Sequence, residues 1–344
     1  MPAGPWRMPG WTVAPPAPKP GTVPLRPLDT GDIIRAVFAT VRRYADSLYR
    51  PVLLVALGCA GVFCGCFALA YAQVGPVPAA GPMTDQQLTG LTVAAAILLV
   101  LLFLLSVVAT AVTSAVSAVV LRHAAPGRQL TPRQSWAQSR GRLWPVLGVQ
   151  ALVLGAALGI LAGSLLPSVL LFFLAGPVPA AWGLLLLIPG LAGALYVGVR
   201  LILAVPVLVL EERRPVAAAR RAWQLNRAAW WRSLGIPYVV GLIGNVAVRS
   251  GMTLLAAAVS RLLPVDAFDS GTDGSRAWLS AWLSVGSLTT LVAVFALVAA
   301  VLMTVRAPLA PLTYGVLYLD RRLRMENLGP TLAAAASHPV TYDR

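Results

Sequence analysis

The sequence predicts an all-α integral membrane protein with six transmembrane helices, built as three repeats of a cytoplasmic amphipathic helix plus a transmembrane hairpin. Three observations predict it. The 344 residues are 58% hydrophobic and only 11% charged, against about 25% charged in an ordinary soluble domain. The mean hydropathy of +0.77 is concentrated in uncharged runs longer than the ~20 residues needed to cross a bilayer. The segments between those runs alternate between basic and acidic, as they do when successive loops lie on opposite sides of a membrane.

Residues 1–30 hold nine prolines, among them Pro15, Pro16, Pro18 and Pro20, and lack hydrophobic periodicity. They predict a disordered cytoplasmic tail, with Trp6 and Trp11 as candidates for a short docking motif or for touching the membrane surface. Pro51 to Thr84 and Gln86 to Leu121 are uncharged and flank Asp85, with a turn signalled by Gly75-Pro76-Val77-Pro78; they form the first hairpin. Leu143 to Val199 is uncharged over 57 residues, and Gly176-Pro177-Val178-Pro179 reverses the chain within it. Two spans follow, near 145–170 and 181–210. The last pair is expected near 233–262 and 278–306, separated by a segment with Pro264, Asp266, Asp269, Gly271 and Asp273. Pro308 and Pro311 interrupt the last apolar stretch, so Leu312 to Leu319 completes the final helix before Arg321, Arg322 and Arg324 open a basic cytoplasmic tail over 320–344. The membrane domain is thus 31–319, with units near 31–121, 122–210 and 211–319.

Basic residues set the orientation. Seven precede the first span, five lie in 122–142, six in 211–232 and five run from Arg306 to the end. The opposite segments hold only Arg276, against Asp85, Asp266, Asp269 and Asp273. The positive-inside rule therefore places both termini in the cytoplasm. The near-exclusive use of Arg over Lys, with abundant Ala, Gly, Pro and Val, matches a GC-rich bacterial genome, so the expected location is a bacterial plasma membrane. The net charge of +15 is spread along the flanks of apolar runs, which points to anionic lipid headgroups and away from nucleic acid.

Two basic segments align without a gap. Trp136, Arg140, Trp144 and Leu147-Gly148 match Trp223, Arg227, Trp231 and Leu234-Gly235 at identical spacing, each leading into an apolar span. Positions i, i+4, i+8 and i+11 share one helical face, so each segment predicts an interfacial helix with Trp and Arg at headgroup level. Thr131 before Pro132, and Pro215, mark the helix starts. A degenerate third copy begins at Phe38 and Arg42, capped by Asp29 or Thr30, with Asp46 where a third aromatic would stand. These six Trp and Arg residues are candidates for contact with lipid or a protein partner, or for simple anchoring in the aromatic belt.

Several segments carry a family resemblance. Pro24-Leu25-Arg26-Pro27-Leu28 with Gly31-Asp32-Ile33-Ile34, the stretch Arg200 to Glu211 followed by Ala219-Arg220-Arg221-Ala222-Trp223, and the ending Leu317 to Glu326 resemble bacterial integral membrane proteins related to the membrane domain of glycerophosphoryl diester phosphodiesterases. The similarity runs over roughly residues 24–330 and rests on topology-linked Arg, Trp and Pro positions. It implies the six-helix architecture. In the fused relatives the phosphodiesterase chemistry belongs to a separate soluble barrel domain, which this sequence lacks.

No catalytic residue, metal ligand or cofactor is expected. Every acid falls in an expected loop or tail, leaving no intramembrane carboxylate for ion coupling. Cys59, Cys64 and Cys66 crowd one apolar run far from His123 and His338 and read as small packing residues. Arg200 and Arg249 stand well inside spans. Arg249 shares a stripe with Gly241, Asn245 and Thr253, and either faces a polar cavity or snorkels outward. Arg200 precedes Glu211 by three helical turns, near mid-depth, where carbonyls freed by Pro189, Gly190 and Pro206 or a lipid phosphate are candidate partners. The expected function is therefore a non-enzymatic membrane protein that binds or organises anionic lipid, or a protein partner, through its interfacial helices. A passive transporter, flippase or channel for a lipid-like amphiphile is the alternative.

Overall fold

The computed structural model describes residues 21–22, 24, 27–74, 84–227, 230–262 and 285–326, without the side chains of 180, 259–262 and 285–287. The tail bearing Trp6 and Trp11, the Gly75 to Pro78 turn, the segment from Pro264 to Arg276, and everything beyond 326 lie outside the described residues. Within them the chain is helical, with no strand: α1 (Thr30–Arg43), α2 (Ala45–Val74), α3 (Asp85–Ala124), α4 (Pro132–Arg140), α5 (Leu143–Ala175), α6 (Pro177–Gly183), α7 (Leu187–Leu201), α8 (Ala204–Leu210), α9 (Pro215–Leu225), α10 (Trp230–Leu262), α11 (Val285–Arg306) and α12 (Leu309–Glu326).

Six helical segments are long and apolar enough to cross a membrane: Ala45–Val74, Asp85–Ala124, Leu143–Ala175, Pro177–Leu210, Trp230–Ala258 and Leu288–Glu326. Their apolar side chains mostly point outward, as in Leu54, Ile97, Leu99, Phe173 and Leu254, each more than half exposed. Water would not tolerate so continuous an apolar surface, whereas hydrocarbon does, and this supports a multi-pass membrane protein.

The starts of the shorter helices follow local chemistry. Thr131 caps α4 by accepting from Gln134 N while the Gln134 side chain accepts from Thr131 N, with Pro132 at the first helical position. Asp29 and Asp32 form the same reciprocal pair at α1. Gly176 reverses the chain between α5 and α6 at φ +91°, a conformation that a Cβ would strain, and Pro177 then opens α6.

The bundle has two levels. In α3 no residue from Asp85 to Thr110 is buried, and every residue from Ala111 to Leu121 is. The uncharged run to Leu121 thus exceeds the outward-facing stretch, because its last turns sit in a protein core with α1, the first turns of α2, α8, α9 and α12. The passage between levels breaks two helices just after an arginine: α7 ends at Leu201 after Arg200, and α11 ends at Arg306 before Ala307-Pro308. Beyond each break the chain enters the core, through Leu203, Ala204 and Val207 in one case and Leu309, Leu312 and Val316 in the other.

Two boundaries differ from those expected. The final helix does not end at Leu319, since α12 continues to Glu326 and buries Leu317 through Arg321 together with Leu323. The N-terminal tail packs before residue 30: Leu28 is fully buried and Thr22 N donates to Ala124 O. Gly21 beside it has no room for a side chain, because a Cβ would lie 2.1 Å from the Ala124 carbonyl oxygen.

Candidate functional site

The core level ends in a lattice of carboxylates and guanidiniums. Asp320, on α12, is fully buried; its Oδ1 accepts from Leu28 N and from Arg324 Nε, each at 2.9 Å. Its Oδ2 faces Arg232 at 3.9 Å and Arg321 at 4.0 Å. Arg232 and Arg324 also both donate to the Leu28 carbonyl. The acids were expected in loops and tails, and Asp320 overturns that for the last helix. A charge that deep is retained because three cations and an amide surround it.

Beside it, Glu211 accepts from the Tyr318 hydroxyl at 2.8 Å and pairs with Arg213 and Arg221. Arg221 reaches on to Glu326, which also pairs with Arg322. Glu212 takes Arg142 and Arg122, from the two sides of α4. Its backbone stands at φ +55°, unusual for a residue with a side chain. Hydrogen bonding and charge from Arg142 first, then Arg122, hold the Glu212 carboxyl below its ordinary range. The three segments quoted above for their family resemblance therefore meet along α12, with Leu28 on Asp320, Glu211 on Tyr318 and Arg221 on Glu326. Neither spacing nor hydropathy singled out Glu211, Glu212, Tyr318 or Asp320; the available signal was an acid standing in an otherwise basic segment.

The aligned Trp and Arg residues sit on the outside of this level. Trp136 and Trp223 are 37% and 38% exposed, Trp144 and Trp231 83% and 77%, and Arg140 and Arg227 are exposed. The residues just before them turn inward: Ser135 and Ser139 are buried before Trp136 and Arg140, as Ala222 and Asn226 are before Trp223 and Arg227. Val146 and Ser233, then Val149 and Ile236, continue the same matched burial. In α1, Val37 is buried before Phe38.

Arg200 finds a partner one turn back on its own helix. Its Nε and Nη2 donate to the Tyr196 hydroxyl at 2.9 and 2.7 Å, and its guanidinium lies 5.1 Å from the centroids of both Tyr196 and Trp223. Trp230 stacks on Tyr196, and Trp231 meets Trp230 edge to face. The mid-depth argument assumed one continuous helix to Glu211, and the break at 202–203 removes that assumption. Gly241 and Asn245 line a cavity with Arg306, whereas Arg249 and Thr253 are exposed on the surface of α10. The stripe is thus divided between a cavity and the outer surface of α10.

Cys59 lines an apolar cavity between α2, α3 and α11, and Cys59, Cys64 and Cys66 are free thiols. His123 bonds the Val119 carbonyl of its own helix; His338 is outside the described residues. Among the described residues no three His, Cys, Asp or Glu side chains gather as a metal site would need.

Comparison of the chain with protein-family models, curated proteins and solved structures finds no significant match.

Proposed function

We propose that this is a non-enzymatic, multi-pass protein of a bacterial plasma membrane, with both termini cytoplasmic, that binds and organises anionic lipid headgroups through α1, α4 and α9. The observation that carries the reading is a division among its arginines. Arg122, Arg142, Arg221, Arg232 and Arg324 are spent on internal carboxylates. Arg42, Arg43, Arg133, Arg140, Arg220 and Arg227 are exposed and make no ion pair with any described residue. Cations left over at one end of an apolar bundle attract anionic headgroups, at about 1 kcal/mol each. Exposed Trp136, Trp144, Trp223 and Trp231 add the amphipathic rings that favour the interface.

The same proposal includes the three-unit organisation and the kinship with the membrane domain of glycerophosphoryl diester phosphodiesterases. The matched burial around Trp136 and Trp223 supports the first. The meeting of Leu28, Glu211, Arg221 and Asp320 supports the second.

Extraction into lipid-retaining discs, followed by mass spectrometry of bound lipid and protein, tests the function. Anionic lipid should be enriched over the host membrane, and the double change Arg140→Gln with Arg227→Gln should reduce the enrichment. Unchanged lipid composition, with a stoichiometric protein lost on Trp136→Ala and Trp223→Ala, would replace lipid by a protein partner. A passive path for an amphiphile is favoured by the helix breaks after Arg200 and Arg306 beside open cavities. Labelled lipid that crosses proteoliposomes no faster with the protein than without it removes that reading.

A further inference from the structure

Two cavities meet where the helices break. One, of about 660 Å³, lies between α3, α5, α7, α8 and α12, and is lined by Val107, Leu154, Leu201, Val205 and Pro311 among others. Its lining is mostly apolar, and two of its hydroxyls are turned to their own helix, with Ser106 donating to Phe103 O and Thr110 to Ser106 O. The other, of about 680 Å³, lies between α7, α10, α11 and α12, and includes Arg306, Asn245 and Tyr238. None of these three has a hydrogen bond or ion pair with a described residue, and no described carboxylate lines either cavity. Gly198, Ile202 and Tyr314 line both, so the two adjoin across the break that follows Arg200. Each volume falls within the roughly 300–1,000 Å³ of ordinary ligand pockets.

An apolar compartment joined to one with an unpaired, half-buried cation has the polarity of a lipid. We infer that the crevice holds one anionic phospholipid from the surrounding bilayer, its phosphate on Arg306 and Asn245 and one acyl chain passing Gly198 into the apolar cavity. Arg306 ends the outward-facing helix α11 just before the core level begins, which is the height of a headgroup. The guanidinium offers the planar donors that phosphate accepts. Room for its stem comes from Gly244, where a Cβ would lie 3.1 Å from Arg306 Cγ. The site deepens the proposed function by adding one stoichiometric lipid to the diffuse attraction of the exposed arginines.

The glycines provide the test. A Cβ at Gly198 or at Gly241 meets nothing within 4 Å, so bulk added there enters the crevice instead of the protein. The detergent-purified protein is exposed to mixed micelles of phosphatidylglycerol and phosphatidylcholine, separated by gel filtration, and its bound lipid counted by mass spectrometry. The expected result is one tightly held phosphatidylglycerol per chain. Gly198→Trp should abolish it, and Arg306→Gln should cut the preference for phosphatidylglycerol about tenfold, the worth of one charge-assisted hydrogen bond. Should Gly198→Trp fail to fold, Gly241→Leu narrows the polar compartment to the same end. A folded Gly198→Trp or Gly241→Leu that keeps the lipid, or an Arg306→Gln with unchanged preference, overturns the site. Arg140→Gln with Arg227→Gln should leave the single lipid in place, so failure of the headgroup reading is distinguishable from failure of this one.

Discussion

The Leu28 amide donates to the Asp320 carboxylate at 2.9 Å across 292 positions of sequence. This bond ties the chain ahead of the first helix to the last one. Both residues are fully buried, and Arg232 and Arg324 complete the loop by donating to the Leu28 carbonyl. Removing the carboxylate strands several guanidiniums and an amide at once, so Asp320→Ala should destabilise the fold by about 3–5 kcal/mol. Asp320→Asn keeps an acceptor for Leu28 and should cost less. The exposed Arg50 and Asp46 pair is the control, since Asp46→Asn should change stability by less than about 1 kcal/mol. Thermal unfolding in detergent ranks the three, and an Asp320→Ala no worse than Asp46→Asn would contradict the account.

Glu212 predicts a pH dependence. Its folded carboxyl is held below the ordinary glutamate value of 4.5 by Arg142 and Arg122. A depressed folded pKa means that the contribution is complete above the unfolded value and is lost as pH falls through the folded one. The unfolding temperature of the native protein should therefore exceed that of Glu212→Gln at pH 6 to 7, and the gap should close only below about pH 4.5. A gap constant down to pH 3 would mean that the carboxylate is not the group responsible.

Where the determinants are local, they were readable. Thr131 before Pro132 announces α4, and Gly176-Pro177 announces the reversal, because a cap or a turn is decided within a few residues. The uncharged run to Leu121 is long enough to span but does not itself mark where the outward-facing part ends. Absence of charge does not distinguish Val112 to Val120, packed against α8 and α12, from the mostly exposed Ile97 to Leu104; the available signal was the Ala, Ser and Thr of the former. Asp320 looked like the start of a tail for the same reason: its burial depends on Leu28, Arg232 and Arg324 arriving from elsewhere in the chain.

The hairpin of α5 with α6 and α7 rests on close approach. A Cβ on Gly183 would lie 2.7 Å from Ser168 Cα and 3.0 Å from Ser168 N. Small residues at such crossings let apolar helices pack where burial alone provides little drive. Gly183→Val must separate backbone from backbone, and should cost about 1–3 kcal/mol. Gly155→Val is its control, since a Cβ there meets nothing within 4 Å. Comparable loss of unfolding temperature in both would show that the α5 to α6 crossing is not tight.

Arg200 and Trp223 join the end of α7 to the exposed face of α9, with the guanidinium 5.1 Å from the indole centroid. If this contact holds α9 in place, the two residues are energetically coupled, and a double-mutant cycle measures the coupling. Arg200→Leu and Trp223→Leu should each destabilise, and the pair should destabilise less than their sum by about 1 kcal/mol, as a partly desolvated cation–π contact does. Arg200→Lys separates charge from shape: it keeps the cation but loses the planar stack and the two-pronged donation to Tyr196. Recovery of less than half of the coupling by lysine would locate it in the guanidinium plane. Full additivity of Arg200→Leu with Trp223→Leu would mean that α9 is held by its other contacts, the buried Ala218, Ala219, Ala222 and Leu225 and the ion pairs of Arg221.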